Sequence, residues 1–249
     1  MAFTLLLVAG CASTPDRSAP PESLVDSMEI PGLPDARAWA DYSHAPEFDD
    51  WLKLPKETLK QQYPDTFGTE HDYLALSGGG QNGAFGAGLL YGWTEAGTRP
   101  EFTIVTGVST GALIAPFAFL GPDYDAVIKD IYTRQSTKDL MRTRGLLKTL
   151  FGESAADSDP LREKIEGYIT ADIVEAIAHE HRRGRNLHVV TTNLDAGRPV
   201  SWNVSAIAAS DHPQALSLIR DILLASASIP GVFPPVMFDV EANGERYDE

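Results

Sequence analysis

Phe102-Thr103-Ile104-Val105-Thr106-Gly107-Val108-Ser109-Thr110-Gly111 is the stretch whose reading decides the fold. Phe102 to Thr106 is an apolar, strand-like run, and the residues after Gly111 are small and helix-like. Gly107 to Gly111 therefore falls on a strand-to-helix turn, the place where α/β proteins carry chemistry. A serine held between glycines at this spacing has a mechanical reading. The sharp turn strains the nucleophile's backbone, and side chains two positions to either side would collide, so only Gly107 and Gly111 fit. Ser109 is the candidate nucleophile. A helix opening near it aims unpaired N–H groups and the positive end of its dipole at a developing oxyanion.

One strand earlier, Tyr73 to Leu76 is a second apolar run, short as a central strand buried on both faces should be, and it leads into Ser77-Gly78-Gly79-Gly80-Gln81-Asn82-Gly83. This glycine loop supplies further candidate oxyanion donors at Gly78, Gly79, Gly80 and Gly83. The same loop matches G-x-G-x-x-G through Gly78, Gly80 and Gly83, which in a dinucleotide site would be followed by an acidic residue ending the next strand. Here that strand ends at Gly107 and Ser109 instead. No cofactor is expected.

The chain has 249 residues, of which 43% are hydrophobic and 22% charged, enough for one substantial core. The expected organisation is a signal and tether over 1–21, an arm packed on the domain over 22–72, and the catalytic domain over 73–249. With 20 Lys+Arg against 35 Asp+Glu, the formal charge of -15 opposes binding to nucleic acid and to anionic lipid, leaving neutral or zwitterionic lipid. No apolar run reaches the ~18 residues of a membrane span. The single cysteine, Cys11, excludes an intrachain disulfide and any multi-cysteine metal site, and no metal is expected.

Leu7-Val8-Ala9-Gly10-Cys11 resembles a bacterial lipoprotein signal, and the Ser/Pro/Asp-rich run to Pro21 reads as a polar tether. That resemblance implies a lipidated Cys11 and a lipid-anchored protein of the outer membrane or facing the periplasm. No Lys or Arg precedes the apolar stretch, so the true start is expected further upstream. The alternative is a short buried segment with a core cysteine.

Along the rest of the chain, Leu24 to Phe67 reads as an arm of short helical turns carrying Trp39, Tyr42, Phe48, Trp51 and Tyr63. Gly83 to Ala96 reads as a helix whose Phe85, Leu89, Leu90 and Trp93 form one apolar stripe, its glycines compensated by close packing on the sheet. The helix after Ser109 contains Pro116 and should kink there. Asp123 to Arg134 reads as another helix. The partly basic 136–157 stretch, with Lys138, Arg142, Arg144 and Lys148, reads as a lid or membrane-touching element, or as a peripheral amphipathic helix.

Asp159-Pro160 reads as a cap and first-turn proline, and a further helix runs from Ala171 to Arg183. Leu187 to Asn193 and Pro199 to Ser205 read as strands joined by a turn at Asp195-Ala196-Gly197. Pro213 to Ala227 reads as a helix, and Asn243-Gly244 as a hairpin turn. His44 and His71 read as structural or surface residues, and His188 as a packed one. His179 and His181 lie two positions apart on a helix, so they point to different faces and suit no metal.

With these residues in order, the chain resembles the patatin-like phospholipase family from about Tyr73 onward. Gly78 to Gly83 is similar to that family's oxyanion loop, Gly107-Val108-Ser109-Thr110-Gly111 to its nucleophile elbow, and Ala225-Ser226-Ala227-Ser228-Ile229-Pro230 through Phe233-Pro234-Pro235 to its third block. The resemblance implies a three-layer α/β/α sandwich with a mainly parallel central sheet. It further implies a Ser-Asp dyad without histidine, acting on acyl esters of lipids as a phospholipase A or lysophospholipase does. Two departures stand out. Asn82 occupies a position where the family usually has Arg or Lys. The family's catalytic aspartate belongs to an Asp-Gly-Gly or Asp-Gly-Ala sequence soon after the third block, and no Asp-Gly pair follows Pro235. The expectation is a chain that stops just before the dyad aspartate, with Asp248 a weak substitute and Asp239 a weaker one. Two alternatives stand beside this reading: a Ser-His-Asp esterase using Asp195 and His212, and an inactive, surface-tethered lipid-binding or scaffold protein.

Overall fold

The structure, a computed structural model, describes residues 17–42, 53–62, 64, 67–133, 142–143 and 156–249. Cys11, His44, Phe48, Trp51 and Tyr63 lie outside the described residues, as does most of the 136–157 stretch, so the lipidation and lid readings find no structural counterpart here. In chain order the elements are β1 (Arg37–Trp39), α1 (Lys56–Gln62), β2 (Tyr73–Leu76), α2 (Gly83–Glu95), β3 (Ile104–Val108), α3 (Thr110–Leu120) and α4 (Asp125–Thr133). There follow β4 (Arg142–Thr143), β5 (Ala156–Asp157), α5 (Asp159–Tyr168), α6 (Ala171–Arg182), β6 (Asn186–Asn193), β7 (Arg198–Asn203), α7 (Val204–Ala209), α8 (Ala215–Ala227), β8 (Asp239–Ala242) and β9 (Glu245–Asp248).

A five-stranded sheet in the order β1-β7-β6-β3-β2 forms the centre, flanked by helices as an α/β sandwich requires. β2, β3 and β6 are parallel, with Leu76 opposite Gly107 and Gly107 opposite Val189. β7 runs antiparallel to β6 and β1 antiparallel to β7, so β7 is the one reversed strand, the sheet is mixed, and the parallel expectation holds for the strands nearest the site. The reason is local. Asn193 Oδ1 accepts the Ala196 N–H at 2.9 Å and Gly197 takes φ 63°, which folds β7 straight back on β6 instead of through a crossover helix. β1 comes from the N-terminal arm, whose Arg37, Ala38 and Trp39 pair with Trp202, Ser201 and Val200.

Alternate residues of three strands line one face: Val105 on β3, Leu187, Val189 and Thr191 on β6, and Val200 and Trp202 on β7, all buried. Against it lies α3, buried from Thr110 to Phe119 with Leu113 half-covered. Phe238 stacks on Trp202 at 4.8 Å and joins the β8–β9 hairpin to the core, with Asn243 and Gly244 at φ 53° and 81° in the tight turn.

Several elements depart from the expectations. Among the described residues β2 is an edge strand, not a central one buried on both faces: it pairs with β3 on one side, and Tyr73 is 66% exposed. α2 buries Ala87 and Leu90, while Phe85 is 79% and Leu89 56% exposed, so the four apolar residues do not form a single core stripe. A Cβ added at Gly86, Gly88 or Gly92 would meet no neighbour, which removes sheet packing as the reason for those glycines. α3 passes through Pro116 without interruption. Ser158, not Asp159, is the N-cap of α5. β7 ends at Asn203, two residues short of Ser205, because the Asn203 side chain accepts the Ala206 N–H at 3.0 Å and starts α7.

Candidate active site

β2, β3 and β6 end along one edge of the sheet, and the candidate residues sit where β2 and β3 end. Ser109 follows Val108, the last residue of β3, and is the N-cap of α3. Its backbone takes φ 54° and ψ -122°, a conformation favoured by glycine and sparsely used by any other residue. The two flanking glycines are held by sterics. A Cβ at Gly107 would lie 2.8 Å from Ala112 Cα and 2.8 Å from Ala115 Cβ, inside α3. One at Gly111 would overlap the carbonyl of Leu76 and lie 2.8 Å from that of Ser77. β2, β3 and α3 can meet this closely only with bare backbone at both positions.

The glycine loop crosses directly over Ser109. A Cβ at Gly78 would be 3.1 Å from Ser109 Cβ and 3.7 Å from its Oγ. Gly79 at φ 147° and Gly80 at φ 55° turn the chain tightly before the short helical turn Gly80–Asn82 leads into α2. The Gly79 carbonyl accepts the Asn82 N–H at 3.0 Å, and the Gly83 N–H turns inward to Gln81 and Gly80. Among the described residues, the N–H groups of Gly78, Gly79 and Gly80 donate to no backbone carbonyl, nor does that of Thr110 at the start of α3. Gly83, expected as a donor, is spent within its own turn. It serves instead as a contact point, since a Cβ there would collide with the hydroxyls of Thr110 and Tyr132. Asn82 lies beneath the turn, 3.4 Å from where a Gly79 Cβ would stand, and brings no charge.

Two supports were missed by the sequence reading. Ser226, on α8, accepts the Ser109 N–H at 2.9 Å and donates to the Val190 carbonyl at 2.7 Å, so one hydroxyl ties the elbow to β6 and α8. Tyr132, in the last turn of α4, bonds the Thr110 hydroxyl and donates to the Thr110 carbonyl at 3.1 Å. Burial pushes the Tyr132 phenol above its ordinary pKa. A serine between two alanines and a tyrosine in an amphipathic helix carry no local signal of such roles. The resemblance of the Ala225–Pro230 block was the single pointer to the first.

The candidate partners of Ser109 are less close together. Among the described residues no carboxylate or imidazole hydrogen-bonds to Ser109. Asp248 accepts the Ser18 N–H at 3.1 Å, and its own N–H donates to the Ser18 carbonyl. Asp239 pairs across the hairpin with Asp248. Asp195 is clamped by Arg17 at 2.5 and 2.8 Å, which holds its carboxyl below the usual carboxylate range. His212 accepts the Gln214 N–H at 3.3 Å and packs beside Gly32, with no bond to Asp195. His188 is half-buried, with Nδ1 3.4 Å from Ser201 Oγ, and desolvation lowers its pKa to about 4. Among the described residues no cluster suits a metal ion.

A strained serine under a glycine loop, at the carboxyl edge of a helix-flanked sheet, belongs to the class of α/β sandwiches built for acyl transfer. Comparison narrows the class. Residues 74–248 match the family model of the patatin-like phospholipases, and the chain is a member of that family, whose members act on lipid acyl esters. No curated protein matched the chain.

Proposed function

We propose that the protein hydrolyses acyl ester bonds of phospholipids or lysophospholipids, with Ser109 as nucleophile and an aspartate as general base. The observation that carries this reading is the contact of the Gly78 backbone with Ser109, which puts undonated amides beside a hydroxyl at a positive-φ turn. In the proposed reaction Ser109 Oγ attacks the ester carbonyl while the aspartate takes its proton. The oxyanion that forms is held by the amides of the Gly78–Gly80 loop and of Thr110, with the positive end of α3 behind them. Collapse expels the alcohol, which regains the proton, and leaves an acyl group on Ser109. Water, deprotonated by the same aspartate, then frees the fatty acid.

An aspartate is a weaker base than histidine near neutral pH, so the reading leans on the oxyanion donors. Asp248 and Asp239 are not assigned as that base, because the first is bonded to Ser18 and the second sits across the hairpin from it. The Ser-His-Asp alternative lacks support, since Asp195 and His212 are each engaged elsewhere. We also infer attachment to a membrane through lipidated Cys11, on the outer membrane or its periplasmic side, from the apolar residues before it and the polar run after it.

The test is fatty-acid release by the natural full-length protein, which must supply the dyad aspartate, from phosphatidylcholine and lysophosphatidylcholine vesicles. Ser109→Ala should abolish release, while His212→Ala and Asp248→Asn should leave it in place. Undiminished release by Ser109→Ala would overturn the assignment. For the anchor, labelled palmitate should enter the full chain and not its Cys11→Ser variant.

A further inference from the structure

The helix that begins at Ser109 leads into an apolar groove. Leu113 donates its N–H to the Ser109 carbonyl at 3.3 Å, so it lies one turn beyond the candidate nucleophile on the same stripe of α3, with Phe117 one turn further. Leu113 and Phe117 form one wall. Leu161, Ile165 and Ile169 stand opposite, on and just after α5, and Leu223 of α8 closes the side. The floor is nearly inaccessible, with Phe117 and Leu223 each 1% and Ile169 2% exposed, whereas Leu113 at the mouth is half-buried. The polar groups are peripheral. Lys164 is exposed at the rim, and the Tyr168 hydroxyl is occupied by Asp130 at 2.6 Å.

We propose that this groove is the acyl-chain site, receiving the fatty-acyl tail of the ester whose carbonyl is attacked at Ser109. The inference rests on the acyl-hydrolase reading above and adds to it the place of the chain and the residues that set its length. Three observations favour an acyl tail as occupant. The stripe runs on from Ser109 itself, so a carbonyl at the elbow leaves its tail pointing along Leu113 and Phe117. The lining is apolar apart from Lys164 at the rim, and the half-buried Tyr168 hydroxyl is satisfied already. Its walls come from several helices, so the groove is a crevice between elements and not one exposed helix face.

From Ser109 to Phe117 the helix rises ~12 Å, which sets the depth to which a straight tail can follow it. Every methylene taken into the groove should raise affinity about fourfold until the floor is reached. Saturated chains should therefore gain with length and then plateau.

The variants that test this are Leu113→Trp and Ile165→Trp, which place an indole in the groove from opposite walls, in the otherwise intact chain. The first readout is the ratio of kcat/KM on p-nitrophenyl dodecanoate to that on the butyrate. Each variant should lower the ratio about tenfold, as expected for evicting one or two methylenes. A ratio within about twofold of the parent in both variants, with cooperative melting retained, would overturn the proposal.

The second readout needs neither turnover nor a folded variant. Diazirine-bearing dodecanoic acid, photolysed with the parent chain, should crosslink within 113–117 and 161–169, and excess dodecanoic acid should suppress the adduct. Adducts confined to other segments, or insensitive to competition, would remove the groove from the account. Should Ser109 prove unnecessary for ester hydrolysis while those adducts form, the reaction assignment fails and the fatty-acyl site stands.

Discussion

Ser109 holds φ 54° at the turn from β3 into α3, with bare backbone two positions to either side. Gly107 and Gly111 were legible because their requirement is steric: a methyl group at either would enter α3 or the backbone of β2. Ser226 was not legible, since the worth of its hydroxyl depends on β3, β6 and α8 meeting at one point. Positive φ at a non-glycine residue stores strain of about 1–3 kcal/mol. Ser109→Gly should release part of it, raising stability by about 1 kcal/mol and the Tm by a few degrees, while hydrolysis is lost. Ser109→Ala keeps the Cβ and should show no such gain. Thermal melts of both variants check this, and equal Tm values would show that the turn carries no strain.

Among the elements, α3 is fastened at both ends. Its start is held by Ser226 and Tyr132. At its far end the Ala118 carbonyl accepts from Arg99 at 3.1 Å, and Arg185 donates to the Phe119 carbonyl while its guanidinium lies 4.5 Å from the Phe119 ring. These carbonyls belong to the last turn, which an α-helix leaves without partners of its own, and the positive charges suit the negative end of the dipole. Asp125 at 2.6 Å and Glu180 at 2.7 Å balance the two arginines. The side chain of Arg99 is 1% exposed, so Arg99→Met should strand a buried carboxylate at Asp125 and cost about 3–5 kcal/mol. Urea unfolding measures it, and a loss below about 1 kcal/mol would mean that water reaches the pair. Neither arginine's role was legible in the sequence, since the carbonyls they bond lie 19 and 66 residues away along the chain. α2 was misjudged for a related reason: the spacing of Phe85 and Leu89 with Leu90 suits one helical face, but spacing does not say which side of that face meets the sheet.

For the whole molecule, the parallel strands and the connections that carry the site were readable from short apolar runs, glycine turns and helix periodicity. The antiparallel flank was readable in part, because Asp195-Ala196-Gly197 announced a turn. The edge strand β1 was hidden, since Arg37-Ala38-Trp39 is too short to show alternation and gains its strand character from pairing with β7. Burial of His188 links the fold to pH. Its pKa of about 4 lies below the unfolded value of 6.5, so the unfolded chain binds the proton more readily and stability falls as pH drops from 6.5 towards 4. The loss between pH 7 and pH 5 should be about 2 kcal/mol, and His181, also lowered by burial, adds in the same direction. His188→Gln should flatten that part of the profile in urea melts, and an unchanged slope would place the acid sensitivity elsewhere.

The central claim is that Ser109 is an activated nucleophile facing an oxyanion pocket. Treatment of the full chain with a fluorophosphonate, followed by peptide mass spectrometry, tests it most directly. The account predicts one covalent adduct, on the peptide containing Ser109, absent from Ser109→Ala. An adduct on another serine that persists in Ser109→Ala, or a Ser109 left unmodified, would contradict it.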